Sequence, residues 1–235
     1  MDIKIAHLLT HPTEYREMKS ISSLSKLDIP YVQHINKVFK GKVPKNSKKW
    51  SGDEKLKKNS EKYQYSEQGA YGCYSAHKKA ILNEFDTDYL MVCECDCIIS
   101  VPPKQFVDIL PFYIKDMEEN NIACLGIGSF CLDITKETEE LYICENIICT
   151  QCMLYSSKHK EAILELFQNE DWCAYDFWIN KFFGKKNKLA VVKQRITQQH
   201  TGQSLIDLGL TKRMSKRIDA HNSFCFYVWE SHKNS

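Results

Sequence analysis

The sequence lacks any run of about 18 apolar residues, the length that a membrane-spanning helix requires. Its first residues, Met1-Asp2-Ile3-Lys4, also lack the basic stretch and the small-residue cleavage site of a secretory signal peptide. An excess of one charge is missing as well, since 32 basic residues stand against 30 acidic ones and the formal net charge is +2. We therefore expect no integral membrane segment and no nucleic-acid partner, because nucleic-acid-binding domains are usually basic.

The composition is that of a globular protein, with 43% hydrophobic and 26% charged residues in a chain of 235. Its 11 cysteines lie largely within apolar runs, as buried free thiols do, and a single Cys-x-x-Cys pair at 149–152 is too little for a structural zinc site. This usage favours a reducing, cytoplasmic location over a disulfide scaffold. Internal repeats and low-complexity segments are absent, so residues 1–235 are predicted to form one domain.

Short apolar strands alternate with amphipathic helices along most of the chain. Strands over 3–9 and 31–36 flank a helix that contains Tyr15, Met18 and Ile21, and this β-α-β order predicts parallel pairing. We expect an α/β fold with a mixed, mainly parallel sheet flanked by helices. Further strands are predicted over 89–100, 122–127, 142–149, 152–155 and 189–192, and further helices over 71–85, 106–117, 158–167 and from 175.

Two segments are rich in basic residues. Residues 37–62 hold ten lysines and three acids, which is typical of a solvated loop with a short helix or, alternatively, of a basic flap that attracts an anionic substrate. A second basic cluster at 212–217 is typical of a solvated surface, yet it could close over a diphosphate.

Two acidic residues, Glu94 and Asp96, stand in the most apolar of the predicted strands. An unpaired carboxylate buried there would be energetically expensive. Strand geometry predicts that both side chains leave one face, roughly 6.5 Å apart, at the carboxyl end of a central strand, where open α/β sheets bind ligands. A hard divalent cation would relieve their repulsion and bridge to phosphate oxygens. The sequence therefore predicts an acid–metal–diphosphate site.

A glycine-cysteine-x-x-x-histidine pattern, Gly72 to His77, opens a predicted helix and precedes the strand that carries the triplet Glu94-Cys95-Asp96. This arrangement resembles the lipooligosaccharide and procollagen galactosyltransferase family. The helix that contains Arg16 and the run over 150–156 also match the family pattern. The resemblance covers about residues 1–205 and is strongest over 69–99.

The resemblance implies the GT-A type of fold, with a nucleotide-sugar-binding half over about 1–100 and an acceptor-binding half, including the C-terminal basic segment, over about 101–235. It implies that Asp96 binds Mn²⁺ or Mg²⁺ and that Glu94 contacts this cation, its water shell or the donor ribose. His200 is the expected further ligand, and imidazole suits Mn²⁺ better than Mg²⁺. The alternative for His200 is a histidine in a surface loop.

Four more residues are expected at the donor. Thr10 ends the first strand and would lie at the edge of a nucleotide pocket, while Arg16 and Cys95 enter through the family resemblance. His77 is either close to the donor or simply packed within its helix, and the helical pattern leaves both interpretations open.

Inverting group transfer also needs a base that takes the proton of the acceptor hydroxyl. Asp176 stands among aromatic residues near the start of a predicted helix, and the family has an aspartate in a similar place. Desolvation by those rings would raise its pKa toward the working range of a base. The alternative is a helix N-cap without a catalytic role, and Glu170 and Asp171 are the other candidates for the base.

The expected function is a metal-dependent glycosyltransferase that moves a sugar from a UDP- or GDP-sugar to a glycan acceptor, with inversion. One alternative is a nucleotidyltransferase of related sheet architecture, although the glycine-rich phosphate loop of such enzymes is absent after the first strand. The other is a non-catalytic glycan-binding domain, against which the retained acids count.

Overall fold

The computed structural model describes residues 2–37, 39–40, 42–44, 67–170 and 172–199. Strands and helices alternate through this part of the chain, as the hydrophobic pattern predicts. The strands are β1 Ile3–Leu9, β2 Tyr31–Ile35, β3 Tyr89–Cys93, β4 Cys97–Ile99, β5 Cys124–Gly126, β6 Phe130–Cys131, β7 Ile134–Glu137, β8 Leu141–Cys144, β9 Ile147–Ile148, β10 Cys152–Ser156, β11 Leu189–Val192 and β12 Thr197–Gln199. The helices are α1 Tyr15–Leu24, α2 Glu67–Glu84, α3 Pro103–Glu119, α4 Lys160–Asn169 and α5 Tyr175–Phe182, with short 3-10 helices at Ser157–His159 and Gly184–Lys186.

Eight of these strands form one sheet in the order β2-β1-β3-β10-β5-β11-β8-β7. Strand β1 pairs in parallel with β2 and β3, and β11 pairs in parallel with β5, whereas β10 runs antiparallel between β3 and β5. Strand β8 also runs against its two neighbours, so the other six strands share one direction. The expected α/β fold with a mixed, mainly parallel sheet and a parallel first pair is confirmed.

Helices cover both faces of this sheet because successive strand residues point to opposite sides. On β10, Met153 and Tyr155 pack with α2, α4 and α5, whereas Cys152 and Leu154 pack with α1 and α3. The first of these two layers is centred on Trp178, which is fully buried and stacks on an aromatic ring of α4 at a centroid distance of 4.1 Å. Each face of the sheet is therefore covered by its own hydrophobic core.

The predicted strand over 89–100 is the main point at which the sequence-based expectation is wrong. Strand β3 ends at Cys93, and the next three residues form a turn that is closed by a hydrogen bond from the Cys97 amide to the Glu94 carbonyl at 3.0 Å. The chain then continues as β4, which pairs with β12 outside the large sheet. Glu94 and Asp96 thus lie in a turn and not on one face of a strand.

Other boundaries differ less. The predicted strand over 142–149 is divided into β8 and β9, because β9 leaves the large sheet to pair with β6. Helix α2 begins four residues before the predicted start at residue 71. Most of the lysine-rich segment over 37–62 and all of the basic cluster at 212–217 lie outside the described residues.

Within the described residues, no helix combines the length and the apolar character that crossing a bilayer requires. The ten cysteines among those residues are all free thiols.

Gly184 shows where a backbone approach is too close for any side chain. A Cβ atom at this buried position would lie 1.8 Å from the carbonyl oxygen of Glu145, and backbone cannot move aside as a flexible side chain can. We expect Gly184→Ala to lower the free energy of unfolding by about 1–3 kcal/mol, measured by urea denaturation.

Gly72→Ala is the matched control. Gly72 lies inside α2, and its added Cβ would make only an ordinary contact, at 3.6 Å from Phe39. Alanine should raise stability there by up to about 1 kcal/mol, because it favours the helix. Equal effects of the two substitutions would contradict the close approach at Gly184.

Candidate active site

Three chain segments meet at the carboxyl edge of the parallel strands. The turn after β3 carries Glu94, and its amide donates a hydrogen bond to the carbonyl of Gln151 at 2.8 Å, just before β10 begins. Helix α5 brings Asp176 to the same edge from the face that also holds α2. Open α/β sheets bind ligands at this edge, so the position agrees with the predicted site.

One carboxylate oxygen of Glu94 receives three side-chain groups. The His77 ring nitrogen Nε2 lies 3.0 Å from Oε1, the Thr150 hydroxyl lies 2.9 Å from it, and the Cys73 thiol contacts it at 3.9 Å. The side chain of Glu94 keeps 21% of its surface exposed. Oε1 is therefore held from within the protein.

His77 is fully buried and its ring stacks on the ring of Tyr175 at 3.8 Å. Its Nδ1 atom has no hydrogen-bond partner among the described residues. The contact to Glu94 needs a proton on Nε2, because an ionised carboxylate only accepts hydrogen bonds. His77 thus packs within its helix and also contacts a carboxylate of the candidate site, and its place close to the donor stays a prediction.

Asp176 occupies the first turn of α5, but it does not cap that helix. The N-cap residue is Ala174, so the alternative interpretation of Asp176 as an N-cap is wrong. Its Oδ1 atom lies 3.0 Å from the Thr150 hydroxyl, and Oδ2 accepts the Cys149 amide at 3.1 Å. Cys149 has a φ of 65°, a left-handed conformation that is uncommon for a residue other than glycine and that directs its amide toward the carboxylate.

The two carboxyl groups differ in their pKa values. Burial and, after it, the negative charge of Glu94 raise the pKa of Asp176 to about 6, although the hydrogen bonds from Thr150 and from the Cys149 amide act to lower it. Burial also acts to raise the pKa of Glu94, yet the hydrogen bond and charge of His77, with the Thr150 hydroxyl, outweigh it and leave that pKa below its usual value. Two neighbouring acids with separated pKa values are typical of acid–base sites.

The middle of the turn places a thiol beside a guanidinium group. Arg16, from the first turn of α1, lies 3.2 Å from the Cys95 sulfur. Burial raises the pKa of Cys95, and the charge of Asp96 adds to this effect. Asp96 itself is 6% exposed. The structure thus places Arg16 beside the turn that carries Cys95 and Asp96, and a role of these three residues at the donor stays a prediction.

Thr10 is held by a carboxylate that sequence reasoning did not single out. Glu17 is fully buried on α1 and accepts hydrogen bonds from the amides of Thr10 and His11 and from the Thr10 hydroxyl, at 2.5–3.1 Å. The loop after β1 therefore directs its donors inward, to Glu17.

A second network of buried hydrogen bonds contacts the residue that follows the turn between β3 and β4. The Ser20 hydroxyl donates to the Cys97 carbonyl at 2.6 Å and lies 2.9 Å from His7 Nε2, so Nε2 must supply the proton of that contact. His7 Nδ1 then accepts from the Tyr31 hydroxyl at 2.6 Å. Burial lowers the pKa of His7 to about 4, which agrees with a neutral ring. This chain of bonds joins β1, β2 and α1 to the start of β4.

Two groups of side chains in the described residues could hold a metal ion by their spacing alone. One consists of the buried thiols of Cys93, Cys97 and Cys152, and the other of Cys73, His77 and Glu94. The first is a set of soft donors inside an apolar core, and thiolates there would carry uncompensated charge. In the second, Nδ1 of His77 lacks the outer partner that metal-bound histidines almost always have. Neither group therefore replaces the carboxylates as the candidate for a hard cation.

Three predicted residues remain: His200, Asp171 and Glu170. His200 and Asp171 lie outside the described residues. Glu170 forms an ion pair with Lys181 at 3.6 Å. Sequence reasoning missed Thr150 and Cys149 as site residues. Both lie within three residues of the start of a buried strand, but a threonine or cysteine in such a position is common.

No protein-family profile matches the chain, and no curated protein is significantly similar to it. Among solved structures, a glycosyltransferase involved in the glycosylation of the major capsid of PBCV-1 covers 72% of this chain and 66% of its own, with 10% identity and a TM-score of 0.33. The galactosyltransferase LgtC, in complex with donor and acceptor sugar analogs, covers 94% of both chains with 10% identity and a TM-score of 0.40. A proposed glucose-1-phosphate thymidylyltransferase from Bacillus anthracis covers 80% and 85%, with 14% identity and a TM-score of 0.41. These likenesses assign no activity to this chain.

Replacing Asp176 by asparagine should stabilise the protein at about pH 8, because the folded state then no longer buries a negative charge beside Glu94. The folded pKa is about 6, whereas an aspartate in an unfolded chain titrates near 3.9, so only the folded wild type takes up the proton between these values. We expect an advantage for the variant of about 1–2 kcal/mol at pH 8 that shrinks as the pH falls toward about 4.5.

Urea denaturation of both proteins across that pH range measures this difference. A constant difference at every pH would show that the effect of Asp176→Asn is structural and not linked to the charge.

Proposed function

We propose that this chain is a metal-dependent glycosyltransferase that moves a sugar from a nucleotide-sugar donor, a UDP- or GDP-sugar, to a hydroxyl group of a glycan acceptor, with inversion. The observation that carries the proposal is the cluster at the carboxyl edge of the sheet, where Asp176 and Glu94 meet around Thr150 beside the turn that holds Asp96. The reaction needs a base for the acceptor hydroxyl, and a carboxyl group with a raised pKa suits that role. It also needs acidic groups that can bind a cation at the donor.

Asp176 suits the role of the base. A pKa of about 6 leaves the carboxylate ionised at neutral pH and still able to accept a proton. In the proposed step, Asp176 takes the proton of the acceptor hydroxyl while that oxygen forms a bond to the anomeric carbon. The bond from this carbon to the diphosphate breaks, and its electron pair leaves with the nucleoside diphosphate.

The two carboxylates of the turn support the proposal of a hard cation by their chemistry. Asp96 is a nearly buried carboxylate, and Glu94 has a second oxygen, Oε2, that none of the hydrogen bonds to Oε1 occupies. Carboxylate oxygens are the ligands that Mn²⁺ and Mg²⁺ take, and His200 remains the predicted further ligand. When bound, such a cation would offset the negative charge of the departing diphosphate.

The nucleotidyltransferase alternative is less well supported because of the loop after β1. In that class, the amides of this loop would be expected to face phosphate oxygens. Here the amides of Thr10 and His11 already donate to Glu17. The same bonds count against a direct contact between Thr10 and the donor.

Metal-dependent donor binding tests the first half of the proposal. We expect UDP- or GDP-sugars to raise the melting temperature of the protein only when Mn²⁺ or Mg²⁺ is present, because binding to the folded state alone stabilises it. Asp96→Ala should abolish this shift, measured by differential scanning fluorimetry against a panel of donors. A metal-independent shift, or none with any nucleotide-sugar, would argue for a non-catalytic domain instead.

Replacement of Asp176 tests the second part of the proposal, the role of this residue as the base. Asp176→Asn should keep the metal-dependent melting shift and reduce the turnover rate by at least about 100-fold, because general-base catalysis typically contributes about 100- to 10,000-fold. In the wild type, the rate should rise as the pH increases through about 6, since Asp176 must lose its proton before it can act. Product formation followed by mass spectrometry provides the measurement, and turnover retained by the variant would exclude Asp176 as the base.

A further inference from the structure

Two buried polar side chains beside the candidate site have no hydrogen-bond partner among the described residues. In Gln151 both the Nε2 and the Oε1 atom are unpaired, and in Thr197 the hydroxyl group is unpaired. The two residues are only 1% and 2% exposed. A buried amide or hydroxyl group without a partner destabilises a folded protein, so native structures seldom contain one without a functional reason.

Both side chains converge on Gly128, in the loop that follows β5. A Cβ atom at this position would lie 2.5 Å from Thr197 Oγ1 and 2.6 Å from Gln151 Nε2, which is closer than any real Cβ contact. The φ angle of Gly128 is not positive, so its backbone conformation does not require glycine. Glycine is needed here because a side chain would occupy the space at the amide and the hydroxyl group.

These three residues lie at the edge of the sheet that also carries the two acids. Gly128 follows the carboxyl end of β5, and the carbonyl group of Gln151 accepts the Glu94 amide at 2.8 Å. Thr197 begins β12, which pairs with β4 directly after the turn that holds Glu94. A ligand that meets the acids at this edge is therefore a neighbour of both unpaired groups.

We propose that the Gln151 amide and the Thr197 hydroxyl bind hydroxyl groups of the sugar that is transferred from the donor. This inference rests on the proposed transferase and names two residues that recognise its donor. A primary amide offers two N–H donors and a carbonyl acceptor, and a hydroxyl group both donates and accepts. Sugar hydroxyls also donate and accept, so they can pair with all three of the unpaired atoms.

The place of the sugar in the proposed reaction favours it over the base of the nucleotide. The sugar is bonded to the diphosphate beside the turn with Glu94, and its anomeric carbon must face the acceptor hydroxyl at Asp176. Residues 149–151 contact both acids, since the Gln151 carbonyl accepts the Glu94 amide and the Cys149 amide donates to Asp176. The nucleobase lies on the far side of the diphosphate and the ribose, away from this segment.

The side chain of Gln151 has the freedom that such binding needs, whereas the loop with Gly128 is held in place. Three rotatable bonds separate the amide from the backbone, so a rotamer change turns it toward an arriving sugar. Arg195 donates a hydrogen bond to the Gly128 carbonyl at 2.8 Å and covers the ring of Phe130 at 3.9 Å. Hydrogen bonds to the sugar would then offset the unfavourable burial of the unpaired groups.

Gln151→Leu separates a role in binding from a structural role. Leucine has a similar volume and no polar atom to leave unpaired, so the urea midpoint of the protein without ligand should stay unchanged or rise. The nucleotide-sugar that gives the largest melting shift is then titrated into the full chain with Mn²⁺ by calorimetry. Its affinity should fall by about 10-fold, the effect of one or two lost hydrogen bonds. The affinity for the nucleoside diphosphate alone should not change, because it lacks the sugar.

Gln194→Leu is the matched control, since Gln194 is exposed and its replacement should alter neither affinity. Thr197→Val repeats the test on the second group and carries it alone if Gln151→Leu does not fold. An unchanged affinity for the nucleotide-sugar, or an equal loss for the nucleoside diphosphate, would overturn the inference and leave the transferase standing. If the wild type binds no nucleotide-sugar at all, the proposed function fails and this inference fails with it.

Discussion

The arrangement of this edge of the sheet depends on two acidic side chains that contact the same hydroxyl group. Donors from α2 and from the segment before β10 hold the pKa of Glu94 below its usual value, while Asp176 lies half-buried beside it on α5. Like charges this close cannot both be cheaply maintained, so their separation in pKa is a consequence of the packing and not of either residue alone. The left-handed backbone at Cys149 is part of the same arrangement, because it turns an amide toward Asp176.

Much of the fold follows from local pattern. The strand Leu189–Val192 has the predicted bounds, and α5 starts at the predicted Tyr175, because uninterrupted apolar runs and helical spacing are both visible in the sequence. The position of β10 between β3 and β5 could not be predicted, since strand order depends on contacts between distant segments. The end of β3 at Cys93 could not be predicted because apolar residues lie on both sides of the turn, in β3 and in β4, so the sequence looks like one continuous strand.

The site was partly visible as well. Asp176 was found through its aromatic neighbours, whose burial of the carboxyl group raises the pKa in the expected direction. Thr150 could not be singled out, because its importance comes from a meeting of Glu94 and Asp176 that no local spacing encodes. Glu17 was missed because a carboxylate on an amphipathic helix usually faces solvent, whereas here it is buried against the backbone of the preceding loop.

The reversed direction of β10 bears on when the site can form during folding. Thr150 is 56 residues from Glu94 and 26 residues from Asp176, so both contacts close long loops of chain. Such closures are entropically unfavourable until the intervening segments have packed, and non-local pairings of this kind form slowly. The two acids should therefore remain apart in any partly folded species, and their mutual influence emerges only when β10 has been inserted and the sheet is whole.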